Sequence, residues 1–239
     1  MAHIIPEGWQ ALEATGAAQR EIETLARLAA GLSDAYTVYH GVHWTRVNQG
    51  HALVGEIDFA IVNPAGDLLL IEQKSGFLSE APNGLAKQYD KQEKLVSAQM
   101  TRSAEALRNR LNKYCTADKP KQDSLLYCPD YQVKQPGTAG IDPARIVDAS
   151  KREHLIHIIR TLLPEDAPAT KVADEVHRFL RNELRLRRPA RPSGPLRSQT
   201  APSRFPVFDR LPVLVVGGLQ TVSLGDNGPV TQPFVQVVV

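Results

Sequence analysis

Three residues with chemical potential, Asp58, Glu72 and Lys74, lie within two apolar runs, GEIDFAIVN from Gly55 to Asn63 and LLLIEQK from Leu68 to Lys74. Between the runs, Pro64-Ala65-Gly66-Asp67 supplies turn formers, so a β-hairpin is expected. A hairpin centred on Ala65 pairs residues whose numbers sum to 130, and Asp58 with Glu72 satisfies that sum. Their Cβ atoms would then sit roughly 4.5 to 5.5 Å apart on one face, with Lys74 projecting from that face one pleat further on. Two carboxylates placed opposite each other disfavour each other's ionisation unless a cation lies between them. Magnesium suits such a place, since it takes oxygen ligands at roughly 2.0 to 2.1 Å and keeps positions for water and substrate phosphate. The chemistry this predicts is phosphodiester hydrolysis: the metal polarises a phosphoryl oxygen and acidifies water, while Lys74 orients that water or neutralises charge in the transition state.

The spacing Asp-x13-Glu-x-Lys is common by chance, and a Glu-x-Lys on a surface strand is usually a solvated pair. The apolar residues on both sides of each acid give the spacing its weight. Glu21 adds a third carboxylate, because it stands on the stripe of Leu25, Leu28 and Leu32, with a partly exposed edge position as the competing reading. Gln99 falls on the inward side of a later helical run, between Leu95 and Leu107, where an amide can hold water or phosphate or simply make a core hydrogen bond. Other candidates carry less. His154 and His157 lack the HExxH spacing, His40 and His43 are expected on opposite faces of a strand, and Cys115 and Cys128 form no CxxC pair.

These side chains require elements to position them. The pattern predicts a helix from about Gln10 to Leu32, a strand at Tyr36 to Trp44, the hairpin, and a long helix over Leu85 to Asn112. Strands at Ser124 to Cys128 and Arg145 to Asp148 follow, then a helix opened by a capping box at Ser150 to Glu153, and a helix at Lys171 to Leu186. Both hairpin strands are apolar on both faces, with Ile57, Phe59 and Ile61 expected on one side and Ala60 and Val62 on the other, so helices should cover the sheet twice. The expected class is α/β. After Leu186 the composition turns to Arg, Pro and Ser, which reads as a linker over 187–210, followed by a β-prone tail over 211–239 with Leu211 to Val216 and Phe234 to Val239 as strand-like runs. The tail reads as a shortened end.

Of 239 residues, 42% are hydrophobic and 23% charged, which suits a globular domain with a core of its own. No run is long enough to span a bilayer and no signal peptide pattern opens the chain, so cytoplasmic residence and no membrane partner are expected. A net charge of +2 says little, but basic residues collect in Lys87 to Lys113 and again in Arg178 to Arg204. Either could face phosphates, or be a solvated face. No GxxxxGK[ST] loop is present, so ATP binding is not expected.

Taken together, Glu21 with its Leu stripe, YTVYHGV, GEIDFAIVNPAGDLLLIEQKSG and Gln99 ahead of Leu107 resemble the nuclease-related domain. That family is a branch of the restriction-endonuclease-like superfamily, with an Asp, Glu-x-Lys core. The resemblance covers about residues 10 to 112 and extends more loosely to Leu186, giving an expected domain over 1–186. It implies a mixed sheet flanked by helices on both faces and a metal-dependent deoxyribonuclease, with Mg2+ or alternatively Mn2+ at Asp58, Glu72 and Gln73. DNA is the implied partner, in processing, repair or defence. The domain in that family often precedes a DNA helicase, so a helicase or repair partner is a further expectation, and a non-catalytic binding or assembly module of such a complex is the alternative.

Overall fold

The computed structural model describes residues 1–11, 15–48, 51–89, 92–181, 218–223 and 229–234. A six-stranded mixed sheet forms its centre. Its strands are β1 (His3–Ile5), β2 (Thr37–Asn48), β3 (His51–Val62), β4 (Leu68–Gln73), and two later ones at Gln122–Cys128 and Ile146–Asp148. Three short strands, β5 (Ser79–Ala81), β6 (Gly84–Tyr89) and β7 (Gln92–Leu95), intervene as a separate antiparallel sheet, so the later strands of the main sheet are β8 and β9. The spatial order is β1-β2-β3-β4-β8-β9, with antiparallel pairing from β2 to β4 and parallel pairing elsewhere.

Helices cover both faces, as apolar residues on both sides of the hairpin strands require. On one face α1 (Gly16–Gly31) and α3 (Leu155–Leu162) bury Leu25, Leu28, Leu155 and Ile159 against Phe59, Ile61, Leu69 and Ile71. On the other, α2 (Val96–Tyr114) and α4 (Lys171–Leu180) bury Leu107, Leu111, Val176 and Phe179 against Ala60, Val62, Leu68 and Leu70. The result is an α/β fold. The β3–β4 turn forms as the Pro-Ala-Gly-Asp segment predicts: the Asn63 side chain accepts from the Asp67 amide at 2.9 Å, and Gly66 adopts φ +85°. Any Cβ at Gly66 would meet the Ala173 backbone at 2.6 Å, so this glycine lets α4 pack directly on the turn.

Several expectations are corrected. The helix read over Leu85 to Asn112 begins at Val96, because Gly84 to Leu95 folds into the β6–β7 hairpin, in which Lys87 pairs with Lys94 and Gln88 with Glu93. Helical spacing of Leu85, Leu95 and Val96 is equally served by a hairpin that buries Leu85 and Ala86 and holds Lys87 to Tyr89 outward. The first helix starts at Gly16, after a 3-10 turn at Trp9–Ala11. The capping box does not form: Ser150 donates its hydroxyl to Asp148 at 2.6 Å, and α3 begins at Leu155. The linker and the runs Leu211 to Val216 and Val235 to Val239 lie outside the described residues, and the tail's described strands, β10 (Gly218–Ser223) and β11 (Pro229–Phe234), pair antiparallel. Among the described residues no helix is long and apolar enough to cross a membrane.

Candidate active site

The site is built at a fault in strand alternation. On either side of Gly41 and Asp58 the β2–β3 ladder keeps one register, His40 with Phe59 and Val42 with Ile57. Yet Tyr39, Val42 and Trp44 all enter the core beneath α2, and on β3 so do Ile57, Ala60 and Val62, while Phe59 and Ile61 enter the core beneath α1. Alternation therefore slips by one residue on both strands at the same level. Gly41 permits this, since its φ of +66° is one that L side chains adopt only with strain. Ile57 thus parts from Phe59 and Ile61, against the expected pattern. The slip also removes the basis for placing His40 and His43 on opposite faces; His40 reaches Glu21 at 2.9 Å and His43 reaches its cross-strand partner Glu56 at 3.6 Å.

The β3–β4 ladder has the predicted sum, Phe59 pairing with Ile71 and Ala60 with Leu70, and it stops at Phe59. Where the next backbone rung would stand, the Asp58 carboxylate accepts the Gln73 amide hydrogen at 2.6 Å. Strand β4 meanwhile stays paired with β8, and the Lys74 amide donates to the Tyr127 carbonyl at 2.8 Å, so Glu72, Gln73 and Lys74 are held rigidly. Glu72 and Lys74 are 4% and 6% exposed, and the Lys74 ammonium donates to Glu72 Oε1 at 2.5 Å. Gln99, from the first turns of α2, donates its Nε2 to the same oxygen at 2.5 Å.

Burial and repulsion raise both acids. Asp58 titrates well above the ordinary carboxylate range because burial penalises its charge and Glu72 and then Glu21 repel it; Lys74 and the Gln73 amide offset this only in part. Glu72 is likewise raised, by burial first and then by Glu56 and Glu21, against the opposing pull of Lys74. Burial alone would lower Lys74, but Glu72 and Asp58 outweigh it and hold the ammonium above its usual value. Glu21 is therefore close enough to act on both acids, although its own hydrogen bond goes to His40, whose ring stacks on Phe59 at 5.4 Å. The structure thus assembles Asp58, Glu72, Lys74 and Gln99, with Glu21 one layer behind.

Gln73 bears on what could bind here. It is 6% exposed, and its Oε1 is a buried acceptor with no partner, on the residue whose amide holds Asp58. The carboxylates of Asp58 and Glu72 and this unmet amide oxygen are all hard oxygen donors, the kind magnesium prefers. Among the described residues no three His, Cys, Asp or Glu side chains gather to cage a metal by themselves, so a cation here would rest partly on water or substrate oxygens.

Comparison with known families matches residues 16–129 to the nuclease-related domain. The chain contains a nuclease-related domain. No curated protein and no solved structure matches it. The matched stretch runs from the start of α1 to the end of β8, and so includes Glu21, Asp58, Glu72, Gln73, Lys74 and Gln99.

Beyond those residues, the nuclease-related domain places groups near its centre that sequence reading had discounted. The sequence sets His40 beside His43 on one strand, whereas its place in the fold is between Glu21 and Phe59. Glu56 adds to the charge on Glu72, and the glycine inside YTVYHGV is the sequence sign of the fault near it, since a mid-strand Gly commonly marks a break in regular pairing. The basic stretch Lys87 to Lys113 is not one helical face. Lys87 on β6 donates to the Ser75 and Phe77 carbonyls, Arg110 lies over the Phe179 ring at 5.4 Å, and Lys94 and Arg102 line a groove beside Gln99. His154 and His157 are exposed.

Proposed function

We propose that this nuclease-related domain is a metal-dependent deoxyribonuclease that hydrolyses phosphodiester bonds, in DNA processing, repair or defence. The observation that carries this reading is the convergence of Lys74 Nζ and Gln99 Nε2 on one oxygen of Glu72, beside the raised carboxylate of Asp58. A strand end that merely closed a sheet would not bury this much charge, because uncompensated buried charge costs stability.

Asp58, Glu72 and Gln73 Oε1 would hold Mg2+, or Mn2+ in its place; bound there, the metal would supply Lewis-acid activation of phosphate and a more acidic water. The chain's own groups do the remainder. Asp58 is fixed by the Gln73 amide, so its second oxygen keeps a set direction. Gln99 and Lys74 orient Glu72, and Lys74 carries the positive charge that offsets what develops on a pentavalent phosphorus. Glu21, itself bonded to His40, adds to the negative charge felt by Asp58.

Purified protein incubated with supercoiled, linear and single-stranded DNA, with magnesium, manganese or EDTA, tests the assignment. Metal-dependent nicking that Asp58→Ala and Glu72→Ala abolish is the expected result. Equal nicking by wild type and both variants refutes it. One observation favours a second reading, a non-catalytic nucleic-acid-binding or helicase-associated module: Glu72 Oε1 is already engaged by both Lys74 and Gln99. Binding of DNA without cleavage under every metal condition would select that reading.

A further inference from the structure

A groove with a volume of about 610 Å³ lies between β3, the β6–β7 hairpin and α2, within the range of roughly 300 to 1,000 Å³ typical of sites that enclose a ligand. One of its lining residues, Gln99, is bonded to Glu72, so the groove leads to the acidic centre. Lys94 from the hairpin and Arg102 from α2 give it positive charge from two sides. Tyr89 is 40% exposed there, with the Lys94 ammonium 5.5 Å from its ring centre. Two acids also line it, Glu93 accepting from the Ser79 hydroxyl and Glu56 3.6 Å from the His43 ring, so the lining carries charges of both signs.

Trp44 supplies an independent sign of a ligand. Its side chain lines the groove, is 2% exposed, and its Nε1–H is buried with no acceptor. Gly55 makes this seat possible, since a Cβ there would stand 2.3 Å from the indole ring. An unmet buried donor is costly in the free protein and is satisfied when an acceptor enters.

Resting on the nuclease reading, we infer that this groove binds one unpaired strand of nucleic acid next to the scissile phosphate. Arg102 and Lys94 take phosphates, Tyr89 offers an aromatic edge to an unstacked base, and Trp44 Nε1 donates to a base carbonyl or phosphate oxygen. Charge together with an exposed aromatic ring is how single strands are held without sequence readout. A duplex, with its bases already stacked, offers Tyr89 no free base face.

Binding of a short labelled single-stranded DNA, followed by fluorescence anisotropy in EDTA, tests this without cleavage. Trp44→Phe and Arg102→Ala are each expected to weaken binding about tenfold, the scale of one lost base or phosphate contact. Trp44→Phe shortens a core ring and should melt lower, so its binding is read at a temperature where it stays folded, while the exposed Arg102 carries the same test without a packing loss. The chain has two tryptophans, so Trp9→Phe leaves Trp44 as sole reporter, and its emission should change as the oligonucleotide saturates. Wild-type affinity in both variants, an unresponsive Trp44, or tighter binding of the matching duplex overturns the proposal. If metal-dependent cleavage persists alongside such a result, the groove assignment falls and the nuclease reading stands; if the wild type neither binds nor cleaves, the nuclease reading falls as well.

Discussion

The Asp58 carboxylate accepts the Gln73 backbone hydrogen at 2.6 Å, in the place where the antiparallel ladder between their strands gives out. A side chain thus completes what backbone pairing leaves undone. The sheet opens at that level without orphaning an amide, and the opening brings the acids of β3 and β4 beside Lys74 and the first turns of α2.

Removing the charge of Asp58 while keeping its acceptor separates the two roles. Asp58→Asn retains an oxygen for the Gln73 amide but relieves repulsion from Glu72 and Glu21. Cleavage should fall at least 100-fold, the usual scale for loss of a key electrostatic group. In EDTA the variant should melt at or above the wild-type temperature, measured by circular dichroism. Cleavage by the variant that equals wild type at every magnesium concentration would argue against a direct metal role.

Stability should depend on pH in a direction set by the raised acids. The folded state holds protons on Asp58 and Glu72 more tightly than the unfolded chain, so the favourable contribution is full below the ordinary carboxylate range and is lost as pH rises through the elevated folded values. Metal-free protein is therefore expected to melt lower at neutral pH than in mild acid just above pH ~5, where most other carboxylates remain ionised. Magnesium should flatten this dependence, by raising the melting temperature at neutral pH more than in acid. Identical profiles with and without magnesium would show that no cation occupies the pair.

Lys74 is structural as well as chemical. At 6% exposure its ammonium is the main counter-charge to Glu72 and Asp58. Lys74→Met should cost about 3 kcal/mol in EDTA, the scale for breaking a buried ion pair from one side. Part of that should return with magnesium. Chemical denaturation of wild type and variant, with and without the metal, measures both.

Gln99→Leu tests whether orientation of Glu72 matters. The lost hydrogen bond, to a charged oxygen, is worth roughly 1.5 to 3 kcal/mol. Cleavage should therefore drop about tenfold or more while α2 stays folded, since Gln99 is only partly buried. An effect on substrate affinity alone, with turnover unchanged, would place Gln99 in the groove's binding role instead.

How much of this was legible in the sequence follows from which forces are local. The hairpin register was readable because a Pro-Ala-Gly-Asp turn fixes the mirror positions, and the two-layered helical cover was readable because LLLIEQ is apolar at every early position. The β6–β7 hairpin was not, because Leu85, Leu95 and Val96 fit helical spacing and a two-stranded ribbon alike, and burial against α2 and β8 decides between them. The slip at Gly41 and Asp58 was also hidden. Alternation is a rule of regular strands, and only tertiary packing reveals that Tyr39 and Val42 share a core.

That slip yields the last prediction. Gly41→Ala would place a Cβ on a residue at φ +66°, in a conformation costing roughly 1 to 2 kcal/mol for an L residue, and 3.2 Å from Glu56 Oε1. The backbone can relieve this only by moving toward regular pleating, which would turn Val42 and Trp44 out of the core beneath α2, or Ile57 with them. Either route should lower stability by at least the conformational cost and disturb Asp58, which stands across the ladder from Gly41. The expected outcome is a lower melting temperature together with a loss of cleavage larger than the loss of folded protein at the assay temperature. A variant that melts lower but cleaves like wild type while folded would show that the alternation fault is a packing device with no part in setting the acid's position.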